Sequence, residues 1–333
     1  NAGHVVNAYT YNKRRMMVGE SVAQPGWYSW GIGYGYDANA SLSAQTYPTG
    51  LSVGYAPNAL GQATQAGSYA TGVQYYPNGA IKQFMYGNGI AHTMVQNARQ
   101  LPSHSMDSGG VLHNEYQYDQ NANVNYIGDH IQGGGNGSYS RWMTYDSLDR
   151  LTSAGSCSFG GDCWHRFTYD ALDNLTSWKL GGVKDYATYS YEPGTNRLGL
   201  IQNSAGAGIV GLGYDAQGNL ANKNGQLYTF DFGNRLRSAD GNRWYRYDGL
   251  GRRIINWPTT GAHGDLSQYS QDGKVIHLAD YTEAYPAGGV SKDHIYLGGS
   301  LVSIVEYRHS DGAQTVKYQH TDALGSPVAV TNQ

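Results

Sequence analysis

Apolar and polar positions alternate along this chain in short runs, and clusters of glycine, asparagine or aspartate cut each run off. Arg166-Phe167-Thr168-Tyr169 and Leu175-Thr176-Ser177-Trp178 are two such runs, with Asp170 to Asn174 between them. β-Branched and aromatic residues on both sides of a turn-forming cluster predict a β-hairpin. Tyr186 to Tyr191 alternates with a period near two and predicts a strand with one aromatic face and one polar face. Runs of Leu, Lys, Glu and Ala are scarce, so the chain is predicted to be nearly all β.

The hairpin phrase is repeated. Clear copies begin at Tyr36-Asp37, Tyr118-Asp119, Tyr145-Asp146, Tyr169-Asp170, Tyr214-Asp215, Phe230-Asp231 and Tyr247-Asp248, and weaker ones at Tyr11, Tyr55, Tyr76, Gln96 and Tyr191. Starts lie about 16 to 27 residues apart, the spacing of a small supersecondary unit repeated along a chain. In each copy the Asp can accept backbone N–H groups of the residues that follow it. Four positions after the aromatic residue, Gly218, Gly251, Asp149 or Asp173 tolerates the left-handed conformation of a four-residue loop. The aromatic residue and the Leu or Val six positions on then face each other across the two arms. A lone hairpin is marginal in water, so consecutive hairpins are expected to pair into one long sheet, and a twisted sheet of many strands curls.

Composition agrees with this reading. Glycine contributes 47 of 333 residues and tyrosine 30, while charged residues make up 14%, against about a quarter in ordinary globular domains. A net charge of −3 and a pI near 6.4 leave no electrostatic footprint for nucleic acid or an anionic bilayer. Lys13-Arg14-Arg15 is too short to reverse that. No apolar window is long enough for a membrane span, and the first residues lack the layout of a signal peptide. A chain that opens on Asn1 is expected to be a fragment or a processed product.

Candidate chemistry is sparse. Cys157 and Cys163, the only two cysteines, can staple a glycine-rich loop or remain separate thiols. The histidines show no zinc-ligand spacing, and no cofactor or metal site is expected. His320-Thr321-Asp322 has the residue types of a catalytic cluster, but no nucleophile context such as G-x-S-x-G accompanies it, and a structural hydrogen-bonded group is the preferred reading. Glycine-rich Ile131–Ser140 and Asn203–Tyr214 lack the lysine of a phosphate loop and read as connections between hairpins. The repeated Tyr-Asp pairs could present aromatic faces and carboxylates to a glycan, but Asp and Gly stand where turn chemistry demands them, and the architectural reading is preferred.

The Tyr-Asp-x-x-Gly-Asn/Arg-Leu element resembles the YD repeat of the Rhs proteins, the C components of insecticidal toxin complexes and the teneurins, and the copies cover Tyr11 to Tyr247. Tyr318 to Asn332, with His320, Asp322, Leu324, Gly325, Ser326 and Pro327, is similar to the start of the Rhs core segment. The resemblance implies a β-hairpin array over residues 1–260, final irregular hairpins over 261–317 and a truncated core segment over 318–333. It implies part of a spiral shell or cocoon enclosing a C-terminal toxin or cargo of the same polypeptide, partnered by the remaining shell segments and by a secretion or toxin-delivery apparatus. The product would be bacterial and secreted or cell-surface, with no catalysis in this region. The Asp-Pro-x-Gly processing sites of toxin-bearing members are absent, since the chain contains no Asp-Pro dipeptide. The alternative is an extracellular module that binds carbohydrate or a cell surface.

Overall fold

The computed structural model describes residues 4–131, 139–260, 264–281 and 289–333. Among the described residues there are thirty β-strands, no α-helix, and a single 3-10 turn at Cys157–Phe159. The strands form three antiparallel sheets of 5, 11 and 14 strands, ordered in space as in the chain. The fold is all-β and built of consecutive hairpins, distributed over three sheets where the sequence pattern suggested one.

The hairpin around Asp170 shows why the phrase folds as it does. Strands Trp164–Tyr169 and Leu175–Leu180 are antiparallel, with Tyr169 opposite Leu175. The Asp170 amide donates to the Asn174 carbonyl (2.9 Å), and the Asp173 amide turns back to the Asp170 carbonyl (3.3 Å). The loop therefore has three residues, one fewer than expected, because Asp173 takes a φ of 65° and closes the turn itself. The Asp170 carboxylate accepts from the amides of Leu172 (2.8 Å) and Asn174 (2.9 Å), occupying donors that the turn leaves without backbone partners. Beyond the turn the register slips between Thr168 and Tyr169. Such a bulge increases local twist, and nothing in the alternation of residue types announces it.

The other copies repeat this geometry. Tyr36 faces Leu42, Tyr118 faces Val124, Tyr145 faces Leu151, Tyr214 faces Leu220 and Tyr247 faces Arg253, each with a register shift just before the aromatic residue. Two weak copies are placed differently from their expected starts. The turn near Tyr55 is anchored by Asn58, whose carboxamide oxygen accepts the amides of Leu60 and Gln62. In the other, Tyr76 itself occupies the turn's first position and Tyr75 faces Ile81. The run Tyr186 to Tyr191 is two strands, because Lys184–Tyr186 pairs with Leu175–Leu180 whereas Thr188–Tyr191 pairs with Leu198–Gln202. Asn203 anchors a turn in the second glycine-rich stretch; residues 132–138 of the first lie outside the described residues.

The chain divides into two compact units. The first comprises Asn1–Met94, Asp107–Gly109 and Arg235–Gln333. Its strands show the period-two burial of a sheet with one covered face, as in Val290–Leu297, where Ser291, Asp293, Ile295 and Leu297 are buried and their neighbours are not. Tyr47, Val53, Tyr86, Ile276, Ile295 and Val305 belong to one apolar cluster, and Val22, Tyr28, Ile254, Ile255, Leu266 and Ala279 form another.

The second unit comprises Val95–Met106 and Gly110–Asn234. Few of its side chains are fully buried, Leu112, Leu180 and Ile201 among them. Rings also meet across its strands, with Phe167 and Trp178 centred 5.8 Å apart and Trp178 and Tyr186 6.2 Å apart.

The turn carboxylates make stability depend on acid. The Asn174 side-chain amide, with the backbone amides, holds Asp170 below the usual carboxylate range, and Asn219 does the same for Asp215. A carboxylate with a depressed folded-state pKa contributes stability that is present above its unfolded pKa and is lost as pH falls through the folded one. The urea midpoint should be level above about pH 5 and fall below about pH 4, with a shallower acid slope for Asp170→Asn. A midpoint unchanged down to pH 2.5 would contradict the assignment.

Candidate functional site

The tyrosine of each repeat does more than pack. Tyr169 donates its hydroxyl to the carbonyl of Leu151 (2.9 Å), the residue that faces Tyr145 in the preceding hairpin. Tyr145 donates likewise to Val124 (2.8 Å), Tyr191 to Leu175 (2.8 Å) and Tyr214 to Leu198 (2.8 Å) within the second unit. Within the first, Tyr36 donates to Met17 (2.9 Å), Tyr269 to Arg253 (2.8 Å) and Tyr296 to Val275 (2.9 Å). Tyr118 donates to Pro102 (2.7 Å). The ring thus spans one repeat and its hydroxyl is tied to the one before. Phe230 keeps the ring without a hydroxyl.

In several copies the residue after the left-handed position ties one turn to the next. Arg150 donates through Nε to Asp146 (2.8 Å) and through Nη1 to the Asp170 carbonyl (2.9 Å) and the Asp173 carboxylate (2.7 Å). Its guanidinium lies 4.9 Å from the centre of the Tyr169 ring. Arg252 repeats the arrangement in the first unit: Nε to Asp248 (2.7 Å), Nη1 to the Ser270 carbonyl (3.0 Å) and the guanidinium beside Tyr269. Its Nη2 also reaches Glu20 (3.1 Å), a buried carboxylate. Where Asn replaces Arg, amides do the same work: Asn174 and Asn196 exchange hydrogen bonds at 2.9 and 3.0 Å, and Asn219 donates to Asn234 at 3.0 Å. The Gly-Asn/Arg step of the repeat was visible as a pattern, but its contact partners lie in the next copy.

The remaining aspartates of the motif are also turned inward on their own backbone. Asp37 accepts from Asn39 and Ser41, Asp119 from Asn121 and Asn123, Asp146 from Leu148 and Arg150, Asp215 from Gln217 and Asn219, and Asp248 from Leu250 and Arg252. Asp231 accepts from Gly233. Gly218 and Gly251 have φ values of 92° and 78°. A carboxylate engaged in this way is a hydrogen-bond anchor for its own turn.

His320 is fully buried and its two ring nitrogens are both engaged. Nδ1 lies 2.7 Å from Asp107 Oδ2 and Nε2 lies 2.8 Å from the Thr331 hydroxyl. Asp107 also bonds His92 Nδ1 through its other oxygen (2.7 Å). Burial would raise the Asp107 pKa, but hydrogen bonds from His320 and His92 outweigh it and hold the group below its usual value. Asp322, the acid two positions from His320, is not its partner. It anchors a turn of the repeat type, accepting from Leu324 (2.9 Å) and Ser326 (2.9 Å), with Gly325 at φ 84°. Leu324 is exposed and Pro327 begins the strand that faces Gln314–Thr321. A second buried acid, Asp293, bonds His277 Nδ1 (2.7 Å) and the Thr49 hydroxyl.

Cys157 and Cys163 are joined in a disulfide that closes the loop around the 3-10 turn. Among the described residues, no three or more His, Cys, Asp or Glu side chains are placed to hold a metal ion, and no helix is long and apolar enough to cross a membrane.

The geometry defines an all-β repeat protein whose recurrent polar residues lock one hairpin to the next. No family model and no curated protein matches the chain. Among solved structures, it is similar to chains in the crystal structures of TcdB2-TccC3-TEV, TcdB2-TccC3 and TcdB2-TccC3-Cdc42, with TM-scores of 0.70, 0.69 and 0.70 and 16% sequence identity in each case. The matches take in 97, 97 and 99% of this chain and 19, 20 and 20% of those chains. The chain therefore shares its fold with part of those TcdB2-TccC3 chains, the toxin-complex kind of structure that the Tyr-Asp phrase implied. The chain spans about a fifth of the length of the structures it matches.

Two substitutions test the locking residues. Tyr169→Phe keeps the ring and removes the tie to Leu151, and should lower unfolding free energy by about 1 kcal/mol in urea titrations. Asp107→Ala strands two buried imidazoles and should lower it by about 3 kcal/mol. Equal effects of the two would contradict the ranking of an inter-repeat tie below the buried Asp107 hydrogen-bond cluster.

Proposed function

We propose that this chain is a wall segment of a larger bacterial toxin protein, in which YD-repeat hairpins enclose and shield a toxin or other polypeptide of the same product. The single observation that carries the reading is the fold shared with TcdB2-TccC3 over nearly the whole chain. The inter-repeat ties support it. A confining wall must resist opening between strands, and here tyrosine and Arg/Asn bonds tie many neighbouring hairpins in addition to backbone pairing. The recurrent aspartates are held by their own turns, which accords with a structural role and no catalysis in this region. The remaining wall segments and the enclosed polypeptide are the proposed partners, and a delivery apparatus would carry the assembly out of the producing cell. Residues 1–260 serve as the repeat array, 261–317 as its final hairpins and 318–333 as the start of a core segment.

Protease protection tests the proposal. In the natural full-length product, polypeptide encoded beyond residue 333 should survive protease concentrations that digest the same polypeptide expressed alone. Digestion at equal rates in both contexts would overturn enclosure while leaving the fold untouched.

A further inference from the structure

The Cys157–Cys163 disulfide sits beside a seam in the second unit. Lys184–Tyr186 is an end strand of the 11-stranded sheet and Thr188–Tyr191 an end strand of the 14-stranded one. Lys184–Tyr186 has a partner on one side only, pairing with Trp178, Lys179 and Leu180. Across the seam the Asp185 carboxylate accepts the amide (2.8 Å) and the hydroxyl (2.6 Å) of Ser204. So short an edge strand has little backbone pairing to hold it.

The disulfide-closed loop holds the start of that strand. Asp162 lies within the closed ring and Gly181 in the turn that leads into the edge strand, and the two are bonded both ways. The Asp162 amide donates to the Gly181 carbonyl (3.0 Å), and the Gly181 amide donates to the Asp162 carboxylate (3.0 Å). Glycine is required on both sides of this approach, because a Cβ on Gly161 would collide with the Gly181 carbonyl and one on Gly181 would collide with the Asp162 carboxylate. Phe159, in the same loop, has its ring centre 4.9 Å from that of His165, which accepts from Trp178 Nε1 (2.8 Å). The Lys184 ammonium in turn lies 3.9 Å from the Trp178 ring centre. Loop and edge strand are therefore joined by a reciprocal hydrogen-bonded pair and by a line of rings.

The covalent ring keeps this loop in an arrangement that its backbone does not favour alone. Cys163, which follows directly on Asp162, has a φ of 68°, a left-handed conformation that a non-glycine residue seldom takes. Cys157 is exposed and Cys163 half-buried, so a thiolate in solution can reach the bond. We propose that this disulfide is a redox-operated clasp on the seam, closed in oxidising surroundings and opened by a dithiol reductant of the kind that keeps cytosolic thiols reduced. One thiolate of the reductant attacks a cysteine sulfur to form a mixed disulfide, and its second thiolate then displaces that sulfur. The S–S bond of the protein breaks, the reductant ends as a disulfide, and the two electrons and two protons it gives up leave Cys157 and Cys163 as thiols. Cys163 is then free to leave its left-handed conformation, Asp162 moves off Gly181, and the edge strand loosens. The clasp does not depend on enclosure, since every contact in it lies within the second unit.

Hydrogen–deuterium exchange on the 333-residue chain at neutral pH, with and without dithiothreitol, tests the clasp, and alkylation with iodoacetamide counts the thiols released. Reduction should free both thiols in the folded chain and raise exchange of the amides of residues 181–186 roughly tenfold, the factor expected for one or two lost hydrogen bonds. The strand Gly208–Tyr214 should keep its rate. A Cys157→Ser, Cys163→Ser double variant should show the same local increase without reductant. In Asp162→Ala these amides should exchange fast from the start and reduction should add little, because the clasp acts through that residue. Exchange at 181–186 unchanged by reduction, an increase spread over the whole chain, thiols released only in urea, or a full reductive increase in Asp162→Ala would each overturn the assignment.

Discussion

The structure depends on one constraint: a β-hairpin with a short polar turn cannot bury enough surface to stand by itself, so its stability must come from its neighbours. The tyrosine hydroxyl answers this in one direction and the Arg or Asn after the turn answers it in the other. Tyr169 reaches back to Leu151 and Arg150 reaches forward to Asp170 and Asp173. A repeat is thereby bonded on both sides by side chains as well as by backbone pairing. The two kinds of tie meet where the Arg150 guanidinium lies over the Tyr169 ring, a contact that needs both residues in adjacent copies.

The same economy explains how few groups are left for chemistry. Motif carboxylates accept backbone amides in their own turns, and the buried acids Asp107 and Asp293 are each held between a histidine and a further partner. These clusters lie on the buried faces of strands, where an unpaired polar group is costly and a paired one specifies a unique arrangement of strands.

Much of the fold was legible because it is local. An aspartate that accepts the amides two and four residues ahead, followed by a residue at positive φ, acts within five positions, and the same spelling therefore marks the same turn at Asp37, Asp146, Asp215 and Asp248. The copies around Tyr55 and Tyr76 were harder to align because Asn58 and Tyr76 hold the anchoring position there. Tyr269-Ser270 was passed over because serine replaces the acid, although Gly273 closes the turn in the usual conformation. Alternation predicted one strand from Tyr186 to Tyr191, yet the change of partner at Ala187 is set by which strand lies alongside, which no pattern within the segment encodes.

By itself the sequence determined the hairpin, its turn, the facing of Tyr169 and Leu175 and the repetition that makes an all-β fold necessary, since each follows from residues close together in the chain. Tertiary structure alone decided that His320 pairs with Asp107, 213 positions away, instead of with Asp322 two positions on. It also decided that the hairpins divide among three sheets. The physical reason is range: turn hydrogen bonds are chosen by neighbours along the backbone, whereas buried polar partners and cavities are chosen by which strands pack together.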